Sequence, residues 1–460
     1  MIEKQGSYKI KRIMFIFLIC IGIYFIIGCY FFNHFIIGTR INGINISFMT
    51  VEEANKHIKN IIENYNIIIN GRDTTNELKA SDIDLKYIGD NEIQKILEDQ
   101  NSFFWVKGIL KKDMYTIEDI YSYNDKMYKD KIDNLDLFIE DNIEYPKDAA
   151  FIFVNNEFVI VDEVYGNYVD KDTMYKGLLQ AIYNGRDEFD LDKSNCYVKP
   201  KYYSYSTEVK NAKIILDKYM ATKITYNFGN REEVLDSSIL NEWIKIDKDM
   251  NITINEDEIM NYMFMLSKKY DTVGSKREFK TATGKTVDIS GGYYGWKINK
   301  KKEAEILKEE IENGEVIEKE PEYLQKGVSR EENDIGDTYV EINIASQHLW
   351  YYKEGKLVTQ GDIVSGGVST GNATPLGIYS ITYKQENATL NGANYSSKVT
   401  YWMPFNGNIG IHDASWRYSF GGNIYLSNGT HGCINTPKYL AKKIFSEIEA
   451  GTPVICYEDK

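Results

Sequence analysis

The residues in this chain best placed to do chemistry lie close to its C-terminus, in "GTHGCINTP" (Gly429–Pro437) and in "GIHDA" (Gly410–Ala414) shortly before it. The chain has five histidines and five cysteines, and His412, His431 and Cys433 fall together here. One chemistry this suits is attack by a thiol. The thiolate is the reactive form of cysteine, so a catalytic cysteine needs a base or a cation beside it. His412, at the end of the strand-like "NIGIH", is the partner for that role. Gly432 removes a side chain where a substrate carbonyl must approach, and the N–H groups around Gly432 and Cys433 could stabilise a tetrahedral oxyanion. His431 would share a strand face with Cys433 in an extended segment, whereas a tight turn would move it elsewhere. The other chemistry is a zinc site. His412, His431 and Cys433, with Asp413 adjacent, offer nitrogen, sulfur and oxygen donors, but the spacing contains neither C-x-x-C nor H-E-x-x-H.

These residues need a scaffold. "TYVEINIASQHLWYYKEGKLVTQGDIVSG" reads as two or three strands with turns at Ala345-Ser346-Gln347 and Glu354-Gly355, and "TPLGIYSITYK" as another. "NTPKYLAKKIFSEIEAG" reads as a helix with Asn435 or Thr436 as N-cap and Pro437 as its first residue. Leu440, Ile444 and Ile448 share one face of it, and Gly451 terminates it. Cys433 then lies just before a helix N-terminus, whose unpaired N–H groups favour negative charge. "TPVICY" follows as a last strand, with Cys456 in the core.

Upstream, the chain repeats itself. "YGNYVDKDTMYKGLLQAIYNG" (Tyr165–Gly185) aligns without gaps with "YGWKINKKKEAEILKEEIENG" (Tyr294–Gly314), and "VEEANKHI" from Val51 pairs with "VKNAKIIL" from Val209. Each copy reads as a helix, strands and a closing helix, the copies occupying residues 40–200 and 201–318. The charged stretch over 319–337 lacks apolar periodicity and reads as a linker to a C-terminal domain at 338–460.

At the other end, Ile13–Phe32 carries no charge and as a helix would span about 30 Å, the thickness of a bilayer core. Lys4, Lys9, Lys11 and Arg12 precede it, so the positive-inside bias puts residues 1–12 in the cytoplasm and everything after a 13–37 anchor outside. A cleaved signal peptide is the first alternative, but no A-x-A-like site follows. The second is a lipoprotein signal acylated at Cys29, against which "YFFNHFII" continues apolar. Outside this segment Cys196, Cys433 and Cys456 are too few for a disulfide framework. A formal charge of -14, with no basic cluster beyond the N-terminus, argues against a nucleic-acid partner.

"IHDASWRYSFGGNIYLSNGTHGCINTP" resembles the signature of L,D-transpeptidases with the YkuD-type catalytic domain: a histidine, a spacer, then Ser/Thr-His-Gly-Cys-x-Asn, here Thr430 to Asn435. "ATPLGIYSI", with Thr374, Pro375, Gly377 and Tyr379, and "YWMPFNGNIGIH" (Tyr401–His412) look like the family's two preceding segments, and the likeness runs over residues 338–458. The duplicated region looks like the peptidoglycan-binding repeats that precede such domains. The fold this implies is α+β: one transmembrane helix, two related α+β repeats and a mainly β catalytic domain with one closing helix.

The resemblance also implies a reaction. Cys433 would attack the carbonyl of the third-residue diamino acid in a peptidoglycan tetrapeptide stem, expel D-alanine and hold the stem as a thioester. The side-chain amine of a second stem would then form a 3→3 cross-link. His412 maps onto the catalytic histidine; Thr430, His431 and Gly432 onto the motif shaping the oxyanion pocket; Asn435 onto its buried hydrogen-bonding position; and Tyr401 onto a substrate or oxyanion contact. Asp413 replaces a commonly small residue and could orient or charge His412. The partners implied are the two stems, wall polymer on the repeats, the membrane, and carbapenem-type β-lactams as inhibitors, with no metal or organic cofactor. The alternatives are carboxypeptidase or D-amino-acid exchange chemistry on the same thioester, and a non-catalytic wall-binding protein with zinc at the His/Cys cluster.

Overall fold

The structure, a computed structural model, describes residues 2–117, 120–331, 333–392 and 395–459. The chain divides into two units, Met1–Phe151 with Ile160–Val209, and Ile152–Val159 with Lys210–Lys460.

The first unit opens with helix α1 (Ile2–Tyr30), in which Lys9–Tyr30, 22 residues, is long and apolar enough to cross a membrane. Helix α2 (Val51–Glu63) begins at a capping box: Glu53 N–H donates to Thr50 Oγ1, and Thr50 N–H donates to the Glu53 carboxylate. It buries Ala54, Ile58 and Ile62, one every turn. Strands β1 (Asn66–Asn70) and β2 (Thr75–Lys79) pair antiparallel, and after helix α3 (Lys171–Tyr183) strand β3 (Glu188–Asp190) returns parallel to β1.

The second unit repeats this topology. After α4 (Thr207–Met220), strands β4 (Lys223–Asn227) and β5 (Glu232–Leu235) pair antiparallel. A hairpin of β6 (Arg277–Lys280) and β7 (Thr286–Ile289) follows, then helix α5 (Lys300–Asn313), and β8 (Val316–Lys319) lies parallel to β4. The duplication visible in the sequence is therefore a duplication of strand order.

The stretch expected as a linker is packed. The fully buried Glu303 of α5 accepts from Tyr226 Oη (2.7 Å) and pairs with Lys319 (2.7 Å), which also binds Glu310. The Arg330 guanidinium lies over the rings of Trp296, Tyr323 and Phe228, and Asp334 pairs with Arg277 at 2.7 Å. Charge without apolar periodicity reads as a linker because most partners of these charges lie outside the stretch itself.

The C-terminal domain has two sheets. The first contains β9 (Tyr339–Asn343), β10 (His348–Lys353), β11 (Lys356–Asp362), β12 (Gly377–Ser380) and the last strand, β17 (Pro453–Tyr457), in the order β11-β10-β9-β17-β12. Glu354 and Gly355, both at positive φ, turn β10 into β11. The second, in order, is β13 (Gln385–Gly392), β14 (Tyr395–Asn406), β15 (Ile409–Asp413) and β16 (Ile434–Thr436). Helix α6 (Lys438–Glu447) buries Leu440, Ala441 and Ile444 in a core shared with Val340, Leu349, Met403, Ile411, Ile434 and Val454. It starts one residue later than its sequence suggested, with Pro437 as N-cap, because Asn435 and Thr436 are held as a strand beside His412 and Asp413.

Within this unit the β6–β7 hairpin packs on the first sheet, burying Phe279 and Ile289 with Ile378, Ile455 and Tyr457. Glu341 is fully buried at this junction and accepts from Ala282 N–H (2.8 Å) and Tyr457 Oη (2.6 Å). Burial pushes its carboxyl above the ordinary range. Glu341→Ala strands both donors, each costing about 1–3 kcal/mol. A loss of about 2–3 kcal/mol, or ~5–10 °C in the melting of this unit, is expected by calorimetry. A shift within ~0.5 kcal/mol would show that water replaces the carboxylate.

Candidate active site

Strand alternation brings the sequence candidates together. Residues β15 and β16 share a parallel register, Ile411 beside Ile434 and His412 beside Asn435. Ile411 and Ile434 point into the core. On a period of two, His412, Asn435 and, one step back along the chain, Cys433 take the opposite face. All three line one cavity of about 210 Å³ with Thr430, His431, Gly429, Ser397, Leu390, Trp416 and Arg417.

The cysteine segment is fastened on both sides. Along one edge Val364 and Asn435 exchange N–H···O bonds at 2.9 Å, Thr430 N–H donates to Ser365 O, and Gly367 N–H to Thr430 O. Thr430 Oγ1 accepts from Gly432 N–H (3.0 Å) and donates to Cys433 O (2.6 Å), closing the turn from within. Thr374 Oγ1 donates to Gly432 O at 2.8 Å and accepts from Gly366 N–H. Gly432 has φ +112°, where side chains are strained, and a Cβ there would meet Ile409 Cδ1 at 3.1 Å.

His412 is 4% exposed, and its Nδ1 lies 2.9 Å from Asp413 O. A carbonyl only accepts, so Nδ1 carries the proton and Nε2 keeps its lone pair. The ring lies between Trp402 (centroids 5.8 Å apart), its partner across β14–β15, and Trp416 (6.0 Å). Burial pushes the imidazole below its ordinary range, outweighing the opposing pull of Asp413.

Cys433, 9% exposed, packs with Ala388, Val399 and Trp402 of the β13–β14 hairpin, and its Sγ lies 3.5 Å from Asn408 O. This apolar cover pushes the thiol above its ordinary range, although the Gly410 N–H favours the thiolate. The helix N-terminus does not lower it as the sequence suggested. Three residues of strand intervene between Cys433 and Pro437, so the two are four steps or about 13 Å apart at ~3.3 Å each, and a helix terminus acts only within about a turn. Thiol and imidazole, which line the same cavity, are therefore each neutral near pH 7, with Sγ turned to Asn408 O.

One expectation narrows and another changes. Asp413 orients His412 through its backbone carbonyl, while its carboxylate, 1% exposed, accepts from Thr400 and Tyr401 N–H at 2.8 Å each and favours a charged imidazole only weakly against burial. Tyr401 does not line the cavity, its ring lying on Phe445 of α6, 5.2 Å between centroids. With Asp413 turned away, the donor set of the zinc alternative is incomplete, and among the described residues no three His, Cys, Asp or Glu side chains converge on a metal position. Trp402, Trp416 and Arg417 were not singled out in the sequence. Trp416 and Arg417 stand within the quoted motif, whereas Trp402 reaches His412 only through strand register.

The sequence profile described as "L,D-transpeptidase catalytic domain" matches residues 337–456. One described as "Putative peptidoglycan binding domain" matches twice, at 76–190 and 203–317. Among solved structures, the Ldtfm–avibactam carbamoyl enzyme is 33% identical over 55% of this chain and 100% of its own, with a TM-score of 0.47. A mutant of the Enterococcus faecium L,D-transpeptidase is 34% identical over 52% and 97%, TM-score 0.45. The catalytic domain from the E. faecium L,D-transpeptidase is 44% identical over 26% and 97%, TM-score 0.25. No curated protein matches the chain.

A thiol that rests neutral has a measurable pH dependence. Alkylation of Cys433 by iodoacetamide, followed by peptide mass mapping, is expected to keep rising as pH passes through and above ~8.5, the ordinary thiol value. A plateau already reached near pH 6–7 would mean a resting thiolate–imidazolium pair instead.

Proposed function

The chain belongs to the L,D-transpeptidase family, and from that premise we propose that it builds 3→3 peptidoglycan cross-links through a thioester on Cys433. The observation that carries this reading is the shared cavity of Cys433 and His412, with His412 Nδ1 fixed on the Asp413 carbonyl so that Nε2 is the base. As the sulfur attacks the carbonyl of the third-residue diamino acid, its proton moves to Nε2, and charge appears only as the bond forms. The carbonyl oxygen becomes an oxyanion beside the turn at Gly432 and Cys433, whose backbone Thr430 holds in place. The intermediate collapses, the C–N bond breaks, and the imidazolium protonates the departing amine of D-alanine. The side-chain amine of a second stem then attacks the thioester, gives a proton to His412 and restores the thiol. Water in place of that amine would make the same site a carboxypeptidase, and a free D-amino acid would make it an exchange enzyme.

Topology supports the same reading. Stem peptides lie outside the membrane, and α1 with its basic start would hold residues 1–12 inside and the body outside, with the repeats against wall polymer. Because one similar structure is a carbamoyl enzyme formed with avibactam and another is the E. faecium catalytic domain acylated by ertapenem, carbapenems are proposed to acylate Cys433 here as well.

The body from residue 39 onward, incubated with a disaccharide-tetrapeptide, is expected to release D-alanine, gain a covalent adduct by intact mass and yield dimeric muropeptides. Cys433→Ala is expected to abolish all three. Turnover that survives this substitution would refute the thiol mechanism. The clamp at Thr430 makes a finer prediction: Thr430→Val removes the hydroxyl shared by Gly432 N–H and Cys433 O and should lower kcat/KM about 10–100-fold, or ~1.4–2.8 kcal/mol, while Thr430→Ser stays near wild type. Equal rates for Ser and Val would deny the hydroxyl this part.

A further inference from the structure

Arg417 brings a cation to the cavity of the nucleophile, and nothing above gives it work. The cavity lining contains no Asp or Glu, and among the described residues no carboxylate pairs with Arg417. The side chain is half-buried. Two of its donors are committed to backbone carbonyls at the start of the cysteine segment, Asn428 O at 3.0 Å and Gly429 O at 3.4 Å, while Nε is buried without a partner. Burial alone, with no opposing anion, lowers the affinity of the guanidinium for its proton. Its field is felt at the site, where it disfavours a second positive charge on His412. A desolvated cation is costly until an anion meets it, and a guanidinium is shaped for a carboxylate.

The geometry points to Arg417 as the residue that binds the free carboxylate of the donor, on the residue that leaves. This rests on the stem-peptide reading above. In a tetrapeptide stem the residue beyond the attacked carbonyl is the last, and it carries an α-carboxylate only one residue from the reacting carbon. In a cavity of about 210 Å³ shared with Cys433, that carboxylate is the anion closest to the chemistry. A pentapeptide places a neutral amide there and leaves Arg417 unpaired. The charge on the donor is unchanged through attack and collapse: the carboxylate departs with D-alanine, whose amine takes its proton from His412. Arg417 thus favours donors that end immediately after the scissile bond.

The test uses two probes of one thiol. Iodoacetate and iodoacetamide differ by a carboxylate, and the ratio of their rates at Cys433 cancels any change in thiol reactivity. Arg417→Gln is expected to lower the iodoacetate/iodoacetamide ratio at least tenfold, with Arg417→Lys recovering part of it. In parallel, wild-type protein is offered the tetrapeptide donor as free acid and as C-terminal carboxamide. The acid should lead by at least tenfold in kcat/KM, mainly through KM, and Arg417→Gln should erase that lead. An unchanged alkylation ratio, or stems turned over with equal preference for acid and amide by the wild type, would overturn the assignment while leaving the transpeptidase reading intact. A ratio that falls in Arg417→Gln when no stem is turned over would keep the carboxylate site and remove the stem as its ligand. Equal use of acid and amide by the wild type overturns the assignment without any variant, and if Arg417→Gln fails to fold, Arg417→Lys, expected to reduce the acid lead, tests it in its place.

Discussion

Burying a thiol next to an imidazole costs little while both are neutral and a great deal once either is charged. That constraint organises the C-terminal domain. The β13–β14 hairpin lays Ala388, Val399 and Trp402 against Cys433, and the rings of Trp402 and Trp416 lie near His412, so both groups sit under largely apolar cover. The same cover strengthens every dipole aimed at the site.

Neutral groups do not hold one another in place, so the backbone must do it. Gln347, fully buried, donates to Ile344 O and Ser365 Oγ and accepts from Ser365 N–H; Ser365 O then receives Thr430 N–H. Thr374 ties Gly366 to Gly432, and Thr430 ties Gly432 to Cys433. These bonds cross from the first sheet to the edge of the second. The cysteine is therefore positioned by residues some 60 to 85 places upstream as firmly as by its own neighbours.

What was legible in the sequence follows from range. The two or three strands expected from Thr338, the closing helix and the duplication all rest on local spacing, and local spacing carried them. The start of α6 slipped by a residue because a strand pairing, invisible to helix-capping rules, claimed Asn435 and Thr436. Tyr401 was not legible for a related reason: which face a strand residue takes depends on register; Asp413 does orient His412, through its backbone carbonyl, while its carboxylate is held by β14. Trp402 became part of the site only because β14 lies beside β15. The charged stretch from 319 onward failed differently, since Lys319, Arg330 and Asp334 find their partners in Glu303, Trp296 and Arg277 across turns of the fold.

The same long-range logic explains why the second repeat and the catalytic sheet lie in one unit. β12 ends the five-stranded sheet, and an open edge presents unpaired N–H and C=O groups to any passing strand. Here the chain itself covers it: Ile378 N–H donates to Gly291 O, and Tyr294 N–H donates to Ile378 O. Gly292 makes this approach feasible, with φ +82° and no side chain, since a Cβ would lie 2.0 Å from Ile378 O. Gly377, on the opposing strand, is equally constrained, a Cβ there falling 2.7 Å from Gly292 N. Two glycines facing each other let one backbone close the edge of another, and Tyr294, part of the repeated Tyr-Gly motif, anchors the contact through its hydroxyl on Asp334 O. A motif that looked like the mark of a duplicated module is thus also the piece that seals the edge of the five-stranded sheet.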